Sequence, residues 1–94
     1  MKNAETFDEL KSRIRHLIVD RLKLEKDPDT IDDHAPLFSD EGLGLDSIDA
    51  LELVLGIEQE MDVRIDDEEV GAQALASVEA LASFVRERQQ QPAG

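Results

Sequence analysis

The sequence predicts an all-α domain with three long helices, one short helix and a long loop between the first two helices. Apolar residues recur at intervals of three and four in three segments, which is the spacing of one helix face. Ser, Thr or Asp residues stand where the helices are expected to begin, as helix caps do, and no segment alternates convincingly enough to indicate a strand. The chain has 94 residues, which is the length of one domain. Residues 1–94 are therefore expected to form a single domain with an ordered core over about residues 6–88.

The first predicted helix runs from Thr6 to about Leu24. Thr6 and Glu9 have the spacing of a capping box, in which each side chain bonds the other residue's backbone N–H. The apolar face contains Phe7, Leu10, Ile14, Leu17, Ile18 and Leu22. A connection of nearly twenty residues follows, because Pro28 disfavours helical geometry at Asp27. The apolar residues of this loop, which we expect to hold it against the core, are Ile31, Leu37, Phe38 and Leu43.

The second predicted helix runs from Ser47 to about Met61. A projection at about 100° per residue places on its core side Ala50, Leu51, Val54, Ile57 and Met61. The same projection places on its outward side Ile48, Asp49, Glu52, Leu55, Gly56 and Gln59, with Glu58 at the border. Ile48 and Leu55 are therefore two aliphatic side chains beside a row of carboxylates, a pattern that predicts a docking stripe for another protein.

Two further helices complete the predicted fold. Asp66 is expected to cap the third helix, because acidic residues fill the turn that follows it, and Gly71 indicates that this helix is short. Ser77 is expected to cap a last helix that ends at about Arg88. Its buried face should contain Val78, Leu81, Phe84 and Val85. Residues 89–94 are expected to form a frayed tail.

The composition restricts the classes of function. With three Phe and no Trp or Tyr, the core must consist mostly of Leu, Ile, Val and Ala. The chain has no cysteine, which excludes disulfides, thiolate metal sites and cysteine nucleophiles. It starts without the apolar run of a signal peptide and contains no apolar stretch of about 18 residues that could span a membrane. We therefore expect a cytoplasmic location and no membrane span.

The charge of the chain is strongly negative and unevenly distributed. The net charge of −13 argues against nucleic-acid binding, which needs clustered Lys and Arg. Residues 27–63 contain twelve Asp or Glu and no Lys or Arg, whereas seven of the ten basic residues lie between Lys2 and Lys26. An acidic composition often serves solubility alone. The lack of any basic residue in this segment nevertheless favours a surface for basic partner proteins.

Ser47 is a candidate nucleophile without an evident base. The two imidazoles are His16, inside the first helix, and His34, in the long loop, and no strand precedes the serine as a hydrolase elbow requires. We therefore expect no catalytic residue and a serine that another protein modifies. Free N–H groups at a helix start favour an attached phosphodiester. The alternative is that Ser47 is only a helix cap, worth about 1 kcal/mol.

No metal site is expected in the acidic loop. The twelve-residue EF-hand pattern, started at Asp27, places Asp32 where glycine is needed and Phe38 where glutamate is needed. Gly42 and Gly44 are not followed by the Gly-Lys-Ser/Thr of a phosphate-binding loop.

The string from Gly44 to Val54 resembles the modification motif of the acyl carrier proteins, in which Asp-Ser-Leu opens the second helix. The resemblance continues through the acidic third helix and the last helix, and covers roughly residues 6–88. It implies a four-helix bundle whose interior can accept an acyl chain. It also implies that Ser47, with Asp46 beside it, is the attachment site of 4′-phosphopantetheine from coenzyme A. The thiol of that group would carry acyl intermediates as thioesters in fatty-acid or polyketide-type biosynthesis.

The resemblance also implies partners. Asp49 flanks the serine as in the family, and Glu52 and Glu58 match acidic positions that contact basic patches on partner enzymes. Ile48 and Leu55 match exposed aliphatic contacts. The implied partners are a phosphopantetheinyl transferase (holo-acyl-carrier-protein synthase), a ketosynthase, an acyltransferase and other acyl-processing enzymes with basic docking patches. The carrier itself is expected to be a monomer.

Four features depart from the family pattern. Ile48 stands where Leu is usual, Gly56 where Ala is common, and Gln59 where many members have an acid, while the loop before Ser47 is one residue longer. They fit a specialised carrier as well as a housekeeping one. Two alternatives remain. A peptidyl or D-alanyl carrier would load amino acids on the same phosphopantetheine arm, and an unmodified acidic adaptor would bind a basic protein.

Overall fold

The computed structural model describes residues 6–39, 42–65 and 67–90. The helices are α1 (Phe7–Leu22), α2 (Ser47–Met61), α3 (Glu68–Ala74) and α4 (Val78–Gln90), with a 3-10 turn, Pro28–Thr30, between the first two. Helix α1 packs against both α2 and α4, and α3 packs against α4. The described residues contain no strand. The predicted all-α fold of four helices is therefore confirmed.

The core consists of aliphatic side chains together with Met61, as the composition predicts. Helix α1 contributes Leu10, Ile14, Leu17 and Ile18, and α4 contributes Val78, Leu81, Ala82 and Val85. Phe7 and Phe84 are only partly buried at the edge of this core. The predicted buried faces of α1 and α4 are thus confirmed in outline, with Phe84 further out than expected.

The capping box predicted for α1 is confirmed. The Glu9 N–H donates to Thr6 Oγ1 at 3.1 Å, and the Thr6 N–H donates to Glu9 Oε1 at 2.9 Å. The helix ends at Leu22 rather than Leu24, because Lys23 adopts a left-handed conformation with φ of 53°.

The remaining helix termini differ slightly from the predictions. The cap of α3 is Asp67, which accepts a backbone N–H at 2.8 Å, and the predicted cap, Asp66, lies outside the described residues. Ser77 caps α4 as predicted, since its Oγ accepts a backbone N–H at 3.1 Å. Residues 89–90 are helical rather than part of a tail, and residues 91–94 lie outside the described part of the chain.

The long loop that connects α1 to α2 is held by polar contacts to both α1 and α4. The Asp33 carboxylate forms ion pairs with Arg15 and Lys11 of α1, the latter at 3.3 Å. The Asp33 carbonyl accepts the Glu79 N–H of α4 at 2.9 Å, and His34 Nε2 lies 3.0 Å from Glu79 Oε1. Burial disfavours the charged form of Asp33, but the hydrogen bonds from Arg15 and Lys11 outweigh it. They hold the pKa of this carboxyl below its ordinary value.

Apolar contacts also hold this loop, although one expected contact is absent. Ile31 and Leu37 are buried and Leu43 is partly buried, as predicted. Phe38 is 37% exposed, so the expectation that it helps to hold the loop against the core is wrong. Leu45 is buried instead, and its N–H donates to the Leu37 carbonyl at 3.0 Å.

Helix α2 is turned about its axis relative to the predicted orientation. Its fully buried residues are Leu53, Gly56, Ile57 and Met61, whereas Ala50 and Val54 are only partly buried. Leu51, predicted to face the core, is 63% exposed. Gly56, predicted to face outward, is buried beneath the Arg21 side chain of α1. The close approach of α1 at Gly56 decides which face of α2 is buried, and a projection of the isolated helix cannot show it.

Candidate functional site

The N-terminus of α2 is capped by Asp46, and Ser47 is the first residue of the helix. The Asp49 N–H donates to Asp46 Oδ1 at 2.9 Å, and the Asp46 N–H donates to Asp49 Oδ2 at 3.2 Å. This is a reciprocal capping box. The alternative in which Ser47 serves as the cap is therefore wrong, and its hydroxyl is not needed to stabilise the helix.

The Ser47 side chain is exposed, and its hydroxyl has no hydrogen bond within the described part of the chain. The first backbone N–H groups of a helix have no acceptor inside it, and here the capping box takes those of Asp46 and Asp49. The remaining N–H groups and the helix dipole favour a negatively charged group at this position. A phosphodiester on Ser47 fits these surroundings.

Two glycines shape the turn that leads to Ser47. The N–H groups of Gly42 and Gly44 both donate to the Ser39 carbonyl at 2.9 Å. A Cβ on Gly42 would lie 1.7 Å from the Pro36 carbonyl oxygen, which is far inside van der Waals contact. Gly44 has a φ of 64°, a left-handed conformation that residues with a Cβ avoid. The turn that delivers the start of α2 to the surface therefore needs glycine at position 42 and favours it at position 44.

A groove of about 1040 Å³ opens beside Ser47, between α2, α3 and the preceding loop. Its apolar lining includes Phe38, Leu51, Val54, Ile65 and Leu75. This groove explains why Phe38 and Leu51, both expected to face the core, are exposed. Its volume is close to the upper limit for small-molecule sites.

Three aliphatic side chains lie exposed along α2. Ile48 is 77% and Leu55 is 42% exposed, as the docking hypothesis requires, and Leu51 is 63% exposed between them. We call these three residues the α2 aliphatic row. The sequence prediction omitted Leu51, although its spacing of three and four residues from the other two could have identified it.

The predicted acidic docking residues lie beside this row, but each has a partner within the chain. Asp49 belongs to the capping box. Glu52 Oε2 lies 3.3 Å from Arg21 Nη1. Glu58 is less than two turns beyond Glu52 along α2, and its Oε2 accepts the Ile65 N–H at 2.9 Å. The acids therefore stabilise the local structure as well as contributing charge to the surface.

Neither imidazole is among the residues that line the groove at Ser47. His34 contacts Glu79, and His16 Nδ1 lies 2.8 Å from the Ser12 carbonyl within α1. Within residues 6–39, 42–65 and 67–90, no group of three or more His, Asp or Glu could hold a metal ion. None of the helices found there is long and apolar enough to cross a membrane.

The fold and the exposed serine agree with a comparison against known families. A family model described as a phosphopantetheine attachment site matches residues 12–85. The match covers more than half of the chain, and the chain belongs to this family. It is a carrier protein whose covalent cofactor is 4′-phosphopantetheine, as the resemblance to the acyl carrier proteins implies.

Proposed function

We propose that this chain is an acyl carrier protein and that Ser47 is its attachment residue. The exposed Ser47 hydroxyl, at a helix start already capped by Asp46, supports this assignment. Attachment joins Ser47 Oγ to the pantetheine-bearing phosphorus of coenzyme A, breaks the phosphoanhydride bond and releases adenosine 3′,5′-bisphosphate. A phosphopantetheinyl transferase must take the hydroxyl proton, because no imidazole lines the groove at Ser47. The attached group supplies a thiol that holds acyl groups as thioesters.

The groove beside Ser47 supports an acyl cargo over an amino acid. Most of its lining is apolar, although Asp46 and Asp67 also line it, and Gly71 and Ala72 of α3 leave room between the side chains. Burying an acyl chain contributes about 0.8 kcal/mol for each fully buried CH₂, whereas the charged amino group of an aminoacyl cargo would lose hydration there. These surroundings favour fatty-acid or polyketide-type biosynthesis over a peptidyl or D-alanyl carrier.

The α2 aliphatic row and its neighbouring acids are the proposed docking surface. Apolar side chains of the transferase, a ketosynthase or an acyltransferase would contact Ile48, Leu51 and Leu55, while basic patches would lie near Asp49, Glu52 and Glu58. The row starts next to Ser47 and continues along the same helix. An enzyme bound to the row would therefore have the phosphopantetheine arm close to the enzyme's active site. In this proposal the chain positions cargo and catalyses no reaction itself.

Intact-mass spectrometry tests the attachment. After incubation with coenzyme A and a broad-specificity phosphopantetheinyl transferase, the wild type should gain the mass of one phosphopantetheinyl group and Ser47→Ala should not. Ser39→Ala is the matched control, because Ser39 lines the same groove and should leave modification intact. An unchanged mass for folded wild-type protein, beside a known carrier that is modified in the same reaction, would overturn the assignment and favour the unmodified adaptor.

Thermal denaturation of loaded protein tests the cargo. Protein whose arm carries an octanoyl group should melt at a higher temperature than protein whose arm carries an alanyl group, because only the octanoyl chain can bury apolar surface in the groove. Ala72→Asp should remove this difference by placing a charge on the groove wall at an exposed position outside the core. Equal melting temperatures for the two cargoes on the wild type would contradict an acyl-binding groove.

A further inference from the structure

The acidic side of α2 already holds a cation from its own chain. Arg21, in the last turn of α1, extends across α2. Its Nη1 lies 3.3 Å from Glu52 Oε2, and its Nη2 donates to Gln59 Oε1 at 2.8 Å and lies 3.9 Å from Glu60 Oε2. Three side chains of α2 thus converge on one guanidinium, which is the geometry of a built ion-pair cluster.

Gly56 allows the Arg21 side chain to lie close against α2. A Cβ at this position would lie 3.1 Å from the Cγ and Nε atoms of Arg21 and 3.3 Å from its Cδ. The arginine stem therefore occupies the space that a side chain at Gly56 would need, and the Arg21 side chain is only 25% exposed. Glycine inside a helix is unfavourable relative to alanine, so this close approach gives Gly56 a structural role.

The contact changes the charge that α2 presents to another protein. Glu52 and Glu60 share the Arg21 guanidinium, and the aliphatic row begins one turn before Glu52. A basic group that approaches Glu52 must displace Arg21 or meet a like charge at short range, and both lower the affinity for a cation. The exposed aliphatic side chains are not affected by this competition.

We propose that Arg21 is a specificity-determining residue, which occupies Glu52 in place of a partner's cation and disfavours strongly basic docking surfaces. This inference rests on the proposed carrier function and narrows its docking surface: basic groups of a partner would lie near Asp49 and Glu58, while Arg21 takes their place at Glu52. The partner that fits best presents an apolar surface to the α2 aliphatic row and few basic groups to the side of α2 that faces α1. Docking should then depend less on ionic strength than the net charge of −13 would lead one to expect.

Binding of a fluorescently labelled nona-arginine peptide, measured by anisotropy at low salt, tests the competition directly. Arg21→Gln should bind the peptide about two- to five-fold more tightly than the wild type, as expected for the release of one surface carboxylate. Lys26→Gln is the control, because it removes the same charge from an exposed position outside the cluster and should gain clearly less. Equal gains for both variants would overturn the proposal, since net charge alone would then explain them.

A double-mutant cycle identifies Glu52 as the group that Arg21 occupies. The loss of peptide affinity caused by Glu52→Gln should be larger in the Arg21→Gln background than in the wild type. Equal losses in the two backgrounds would overturn the proposal. If circular dichroism shows that Arg21→Gln does not fold, Arg21→Met replaces it, because methionine keeps an unbranched stem over Gly56 and removes the guanidinium.

The peptide experiment does not involve phosphopantetheine, so the two proposals can fail separately. If the wild type is not modified but the double-mutant cycle shows coupling between Arg21 and Glu52, the carrier assignment is wrong and the role of Arg21 at Glu52 still holds. If the wild type is modified but Arg21 and Glu52 show no coupling, the carrier assignment holds and Arg21 does not determine partner choice.

Discussion

Asp46 and Ser47, adjacent at the start of α2, have different roles. The Asp46 carboxylate satisfies the Asp49 N–H, while the Ser47 hydroxyl has no bond to make within the described residues. The first residue stabilises the helix, and the second is available for chemistry. This division predicts different consequences for two adjacent substitutions.

Ser47→Ala is expected to change the free energy of unfolding by less than about 0.5 kcal/mol, as for a surface residue without special contacts. Asp46→Ala should cost about 1 kcal/mol, because it removes the helix cap. Urea denaturation of the two variants and the wild type measures both changes. A loss for Ser47→Ala as large as that for Asp46→Ala would show that the serine also caps the helix.

Two departures from the acyl carrier pattern have a common cause at the residue scale. Gly56 replaces a common alanine and Gln59 replaces a common acid, and both contact the Arg21 side chain. The sequence identifies the two departures but not their cause, because Arg21 lies more than thirty positions away and reaches them only in the folded chain.

Among the elements, the long loop depends on one carboxylate. Asp33 bonds to α1 through Arg15 and Lys11 and to α4 through its backbone carbonyl. Asp33→Asn is expected to destabilise the protein by about 1 kcal/mol near neutral pH. This value is below the usual range for a hydrogen bond to a charged group, because solvent screens the partly exposed pair.

The effect of Asp33→Asn should depend on pH. The pKa of Asp33 in the folded protein lies below its ordinary value of 3.8. The contribution of the ionised carboxyl is therefore complete above that value and is lost as the pH falls through the lower folded pKa. The difference in unfolding free energy between wild type and variant should be constant down to about pH 5 and shrink below about pH 4. Glu25→Gln, at an exposed position, is the control, and a difference that stays constant down to pH 2 would contradict the pKa direction.

The positions of the helices in the sequence could be predicted more completely than the faces that they bury. Caps and periodicity are local, and so Thr6, Ser77 and the approximate bounds of all four helices follow from the sequence. The rotation of α2 depends on a neighbour: α1 approaches it at Gly56, which turns Leu51 outward into the groove. Phe38 is exposed for a similar reason, because the groove lies where a filled core was expected. The candidate serine was identified from its motif, whereas the groove beside it is a tertiary feature.

Across the whole molecule, the basic α1 offsets part of the acidic charge of the rest of the chain. Lys11 and Arg15 pair with the loop, and Arg21 pairs with α2. The chain still carries a net charge of −13, so repulsion between carboxylates is expected to exceed these attractions.

Added NaCl or Mg²⁺ should therefore raise the melting temperature, because screening weakens the repulsion of many carboxylates more than the attraction of a few ion pairs. Differential scanning calorimetry over a range of salt concentrations measures the change. Sucrose at matched osmolality separates screening from general effects of cosolutes. A melting temperature independent of ionic strength would show that self-repulsion does not limit the stability of this fold.

The cap of α2 has a consequence for the order of events in a carrier cycle. Since Asp46 and not Ser47 caps the helix, we expect attachment of phosphopantetheine to Ser47, as proposed, to leave the start of α2 unchanged. Enzymes that act early and enzymes that act late then meet the same helix, and a cargo in the groove can change what they meet only at Leu51, which belongs to both the groove and the α2 aliphatic row. Under the proposed function, the direction of the cycle must come from the chemical state of the arm, with each enzyme rejecting cargo that it cannot process.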